Sequence, residues 1–178
     1  ALPSQFVFFD NGKSARSRGL ELAATVRPLG GMSITGNATL LDAELTETLE
    51  PSIAPTATEP GIQRLRGADG DRLPYSAKFS GNIGVRQEFD ITSSLSAFAG
   101  FNVSYVGERF GTFNQNTAGL VIAPVVMPRV KLPSYTVVDL QTGVSLNELW
   151  TLNVYARNIF NEEGIISIGT RGGVSLPL

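Results

Sequence analysis

The chain has 178 residues and neither cysteine nor histidine. Disulfides, thiolate metal sites and cysteine nucleophiles are excluded, and with them every acid–base scheme built on imidazole. A serine nucleophile would lack the histidine that usually activates it. Carboxylates alone can run an enzyme, so catalysis is disfavoured rather than eliminated. No run approaches the roughly 18 apolar residues of a membrane helix. The most apolar loop-like stretch, AGLVIAPVVMP (Ala118 to Pro128), is too short and contains Pro124. An excess of one charge is missing as well. The 14 Lys and Arg against 16 Asp and Glu leave −2, with no basic patch suited to nucleic acid. ALPSQFVFFD has neither a basic start nor a cleavage-like pattern and opens as if in mid-strand, so the chain is expected to be a piece of a longer or processed polypeptide.

What is present is a period of two. In WTLNVYAR, Leu152, Val154 and Ala156 share one side of an extended chain, and Thr151, Asn153, Tyr155 and Arg157 the other. The same alternation sets Leu20, Leu22, Ala24 and Val26 against Glu21, Ala23, Thr25 and Arg27. Met32, Ile34, Ala38 and Leu40 oppose Ser33, Thr35, Asn37 and Thr39; Phe79, Ile83 and Val85 oppose Lys78, Ser80, Asn82 and Arg86. Further on, Leu95, Ala97, Ala99, Phe101, Val103 and Tyr105 oppose Ser96, Phe98, Gly100, Asn102 and Ser104. Val138, Leu140, Val144 and Leu146 oppose Asp139, Gln141, Gly143 and Ser145. Two weaker segments, FVFF near the start and GGVSL near the end, bring the expected count to roughly eight strands.

Tight turns are expected near residues 29, 92 and 147, PLGG (Pro28 to Gly31) being the clearest. Two long connections, about Thr46 to Arg72 and about Gly111 to Leu132, separate the remaining strands. Compact soluble domains seldom carry such loops. A transmembrane barrel has short periplasmic turns and long extracellular loops. Alternation alone fits a soluble sheet equally, because a core face is also cleared of charge. Three features favour lipid outside. The polar face is built largely of Ser, Thr, Gly and Asn rather than Lys and Glu. The strands should run about 10–14 residues, against about 5–6 in soluble domains. Tyr105, Phe110, Tyr135 and Trp150 fall at strand ends, where an interfacial girdle belongs. The expected fold is all-β, an antiparallel transmembrane β-barrel segment of about eight amphipathic strands.

Three stretches resemble a family. SRGLELAATVRPLGGMSITGNATLLDAEL is similar to a strand–turn–strand late in the barrels of TonB-dependent outer-membrane receptors, with S-x-G-x-E, P-x-x-G and G-N-x-T-x-x-D-A-E in succession. LPYSAKFSGNIG resembles the R-L-P-x-x-P-K-H strand that follows, with Ser76 in place of the usual Pro and Phe79 in place of the usual His. YTVVDLQTGVSLNELWTLNVYARNIFNEE resembles the closing Y-x-x-V-D-L … W-x-L-x-L-x-V-x-N-L-F segment. They follow the family's order and cover most of the chain. The resemblance implies that residues 1–178 are the C-terminal part of a barrel of roughly two dozen strands, with the plug domain, the TonB box and the first strands absent. GTRGGVSLPL resembles the last strand, although the terminal aromatic is missing and Pro177 intrudes.

By the same resemblance, the function is active uptake of a scarce nutrient, such as siderophore-bound iron, cobalamin or a carbohydrate, across the outer membrane of a Gram-negative bacterium. The implied partners are outer-membrane lipid, an extracellular small-molecule ligand, and the plug domain and TonB through the missing N-terminal part. A monomer without cofactor, metal or nucleic acid is expected. The rivals are a self-contained eight-stranded barrel acting as a pore or anchor, and a soluble sheet binding a small ligand.

Glu21, Asn37, Lys78, Asn82, Arg86, Asp139 and Arg157 line the expected lumen, where they pair across strands or with a plug. In the first long loop Arg64, Arg66 and Arg72 are candidates to meet an anionic ligand. In the second, Asn114, Gln115 and Asn116 are candidates to orient one. A charge-mixed loop tip and an ordinary hairpin extension are the blander readings. GADGD (Gly67 to Asp71) is too short for a calcium loop and reads as an acidic turn. Asn158 and Asn161 are expected to brace a strand exit.

Overall fold

The computed structural model describes residues 14–49, 67–113, 129–147, 149–171 and 174–177. The FVFF segment and Arg64, Arg66, Asn114, Gln115 and Asn116 lie outside the described residues. In chain order the strands are β1 (Ala15–Val26), β2 (Met32–Leu45), β3 (Phe79–Asp90), β4 (Leu95–Val106), β5 (Arg109–Phe110), β6 (Lys131–Leu132), β7 (Tyr135–Leu146), β8 (Trp150–Ala156), β9 (Ile168–Arg171) and β10 (Val174–Pro177). No helix occurs among the described residues. Six of the strands form one antiparallel meander, β1-β2-β3-β4-β7-β8. The base of the second long connection is zipped as the hairpin β5–β6, and the final stretch pairs as β9–β10.

Register carries the alternation across the whole sheet, because directly paired residues project to the same side. Leu20 pairs with Leu40, Leu40 with Phe79, Val85 with Phe101, Phe101 with Leu140, and Leu140 with Ala156. This apolar face stays uncovered: Leu22 is 62% exposed, Leu140 44% and Leu152 64%. A soluble sheet would bury it against a second layer. The polar groups that interrupt it are satisfied nearby. Thr142 Oγ1 donates to Phe98 O at 2.7 Å, and Gln87 Nε2 to Gly30 O at 3.1 Å. On β4 the apolar side runs from Leu95 to Tyr105. Those ten steps of about 3.3 Å, on a strand tilted by about 40°, give a band about 25 Å tall, the thickness of an outer-membrane belt.

Turn chemistry closes one end. Gly31 sits at φ 73°, and a Cβ there would meet Glu88 O at 2.5 Å, so glycine is required. Thr92 Oγ1 accepts from Leu95 N, and Asn147 supplies a left-handed residue at φ 50° between β7 and β8.

At the opposite end the polarity inverts. On the side that is apolar lower down, Arg16 pairs with Glu44 and Arg18 with Asp42 at 3.0 Å. On the other side Ala43 and Leu45 are buried, as is Leu132 of β6. Residues 69–73 complete this small core: Leu73 N donates to Ala43 O and Leu45 N to Asp71 O, both at 2.9 Å. Asp71 Oδ2 accepts from Ala68 N, so the acidic turn is structural. The strands therefore outrun the apolar band and continue above it.

Candidate functional site

The polar face carries a graded set of side chains. Asn82 Nδ2 and Asn102 Nδ2 both donate to Ser104 Oγ, at 2.8 and 3.2 Å. Arg86 donates to Glu88 at 3.0 Å and lays its guanidinium 3.5 Å over the Phe98 ring. Towards the tight-turn end Arg86, Glu88 and Phe98, with Gln141, Ser145 and Asn153, border a hollow of about 560 Å³. It is lined mainly by polar side chains, and no cluster of three or more metal-binding side chains occurs among the described residues. The arrangement presents hydrogen-bonding groups to whatever lies against this face.

The sequence-derived site residues divide between several places. Glu21, Asn37, Asn82, Arg86 and Asp139 lie on the polar face by register. Asp139 Oδ1 accepts from Asn158 N at 2.8 Å, while Asn158 Oδ1 accepts from Glu162 N at 2.8 Å. With Asn158 and Asn161 both at positive φ, this braces the exit from β8. Arg157 lies one residue beyond β8, its guanidinium 4.9 Å from the Tyr155 ring.

Two placements need the pairing itself. Lys78 lies one residue before β3, its carbonyl accepting from Leu41 N at 2.9 Å. It is exposed and borders a hollow with Arg18, Leu20, Leu40 and Asp42, which belong to the outward side. Arg72 is not at a loop tip: it bridges to Glu44 and so shares the outward side with Arg16. The ladder of β2 holds through Leu41 N to Lys78 O; the partner chain then leaves it in a turn at residues 74–75 and rejoins at Leu73, opposite Ala43. Tyr105, Phe110, Tyr135 and Trp150 all fall at strand ends; Tyr105 and Trp150, with Phe79, stand on the apolar face near its edges, and Tyr135 pairs with Val106 on the polar side.

One buried cation gave no signal in the sequence. Arg109 is 6% exposed. Its Nη2 donates to Ile165 O at 3.0 Å, its guanidinium lies 5.3 Å from the Tyr135 ring, and Nη1 has no hydrogen-bond partner. Arg109→Met keeps the stem and removes the orphaned donor, so a stability change under about 1 kcal/mol is expected. Arg109→Ala also empties the site and should cost about 2–3 kcal/mol. Urea midpoints of refolded protein in detergent would separate the two. Above the belt, Glu108 is held below the usual carboxylate range by its hydrogen bond to Lys131, and secondarily by that charge.

An uncovered apolar band, a hydrogen-bonding polar face and long connections at one end define a membrane-spanning β-barrel wall. The family model described as TonB dependent receptor-like, beta-barrel matches residues 2–159. The chain belongs to that family. No curated protein and no solved structure matches it.

Proposed function

We propose that this chain is the C-terminal portion of the barrel of a TonB-dependent receptor, and that the receptor imports a scarce nutrient across the outer membrane of a Gram-negative bacterium. One observation carries the reading: an outward face free of Asp, Glu, Lys and Arg over about 25 Å on β3, β4 and β7, and over a shorter height on β1, β2 and β8, left uncovered among the described residues. Family membership supplies the class. The edges of the sheet, β1 and β8, support a larger barrel, because unpaired backbone in hydrocarbon costs several kcal/mol per group. A self-contained pore gains nothing from the described strands, which leave both edges open.

The cargo class we favour is a siderophore-bound iron, cobalamin or carbohydrate molecule too large for passive pores. The plug domain and TonB are the partners this requires. Deleting the whole gene should abolish growth on one such nutrient at limiting concentration. Restoring the gene should rescue growth, but not in a strain lacking TonB. Rescue without TonB would reduce the protein to a passive pore; full growth of the deletion on every limiting nutrient would remove the transport reading.

A further inference from the structure

The outward side just above the apolar band carries more positive charge than its carboxylates neutralise. Arg16 takes Glu44, Arg18 takes Asp42, and Lys131 takes Glu108 at 2.6 Å. Arg72 and Lys78 lie among these pairs with no salt bridge among the described residues, and both border the two hollows on this side. The hollows hold about 530 and 590 Å³. Immediately below, the rings of Phe79 and Tyr105 lie 5.8 Å apart at the top of the band. Leu20 and Leu40 continue the apolar surface downward from the second hollow. Two spare cations therefore stand directly over an aromatic and aliphatic wall, at the end where the long connections emerge.

Resting on the membrane placement proposed above, we infer that this surface binds the phosphate-bearing headgroup of an outer-leaflet lipid, with Arg72 and Lys78 as the anion contacts. A headgroup phosphate at this height satisfies both cations, and its acyl chains run down the wall beside Phe79, Tyr105 and Leu40. Arg72 offers a planar donor fork and Lys78 a point charge, a pairing suited to a phosphate monoester. A free anion would gain the charge contact but not the wall. A nutrient approaching the pore mouth from the polar side would not reach it.

The test uses the full-length receptor, purified in detergent from outer membranes; its recovery there with a heat-dependent gel shift establishes membrane placement separately. Micelles are doped with phosphatidic acid or with phosphatidylcholine of the same chains, and retained lipid is quantified by mass spectrometry. Phosphatidic acid should be retained in clear preference. Arg72→Ala with Lys78→Ala should weaken that retention roughly thirtyfold, given about 1 kcal/mol per basic side chain at a lipid surface. Arg72→Lys with Lys78→Arg should keep most of it, and serves if the alanine pair fails to reach the membrane. Equal retention of the two lipids, or unchanged preference in the alanine pair, overturns the proposal. So does competition by inorganic phosphate at the concentration of the lipid, which would reveal a free-anion site.

Discussion

Leu140→Arg is expected to destabilise the membrane-inserted protein by about 2–4 kcal/mol, while Gln141→Arg one residue along changes it by less than about 0.5 kcal/mol. Leu140 lies on β7 between Phe101 and Ala156, midway down the apolar band, and is 44% exposed. Its neighbour Gln141 points to the other side, opposite Gly100 and Tyr155. The contrast arises from the solvent alone. At mid-bilayer a guanidinium loses its hydration, and snorkelling to either interface must cover about 12 Å, half the band. On the polar face the same group stays wet and meets the glycine side of β4. If the apolar face were in water, the order would reverse: replacing an exposed leucine by arginine would be neutral or would improve solubility. Urea titration of the full-length protein folded into lipid vesicles reads the difference directly. Matching effects at the two positions would mean that the outward face does not meet hydrocarbon.

Much of this architecture is written in the side-chain alternation. The period of two places Leu20, Leu152 and their counterparts on one side because a strand has no freedom to do otherwise once its register is set. PLGG and the Asn147 turn were visible for a local reason, since positive φ restricts residue choice sharply. What was not visible depends on contacts made across the sheet. Arg72 is aligned by a bridge to Glu44 that follows the turn at residues 74–75, and no local pattern announces where the chain rejoins β2. β5 and β6 are two residues each, too short to express any period. Arg109 looks like any polar residue after a strand, and its burial depends on Ile165 and Tyr135, both distant in the chain. The lumen-facing reading of Glu21, Asn37, Asn82, Arg86 and Asp139 needed only parity. What those residues do for a passing solute depends on partners that parity does not specify.

Phe98 shows how packing resolves an apparent anomaly in the pattern, and it leads to the second large effect. It is an aromatic on the polar face, between Ser96 and Gly100. Arg86 of β3 covers one side of its ring at 3.5 Å, and its edge projects over Gly143 of β7, so that three adjacent strands share one stack. A Cβ at Gly143 would lie 2.5 Å from Phe98 Cε1, 2.6 Å from Asn153 Oδ1 and 2.8 Å from Leu152 O. Gly143→Val is therefore expected to cost about 2–3 kcal/mol through overpacking, and to displace the ring from beneath Arg86. The two side-chain contacts can yield; the Leu152 carbonyl belongs to the β7–β8 ladder and cannot move without weakening it. Phe98→Ala in the same chain should then recover part of the loss, about 1 kcal/mol, because it removes the nearest obstacle but leaves the carbonyl. Thermal or urea midpoints of the four forms complete the cycle. Strict additivity would place the ring away from Gly143, and full recovery would mean that the Leu152 backbone has more room than its distance allows.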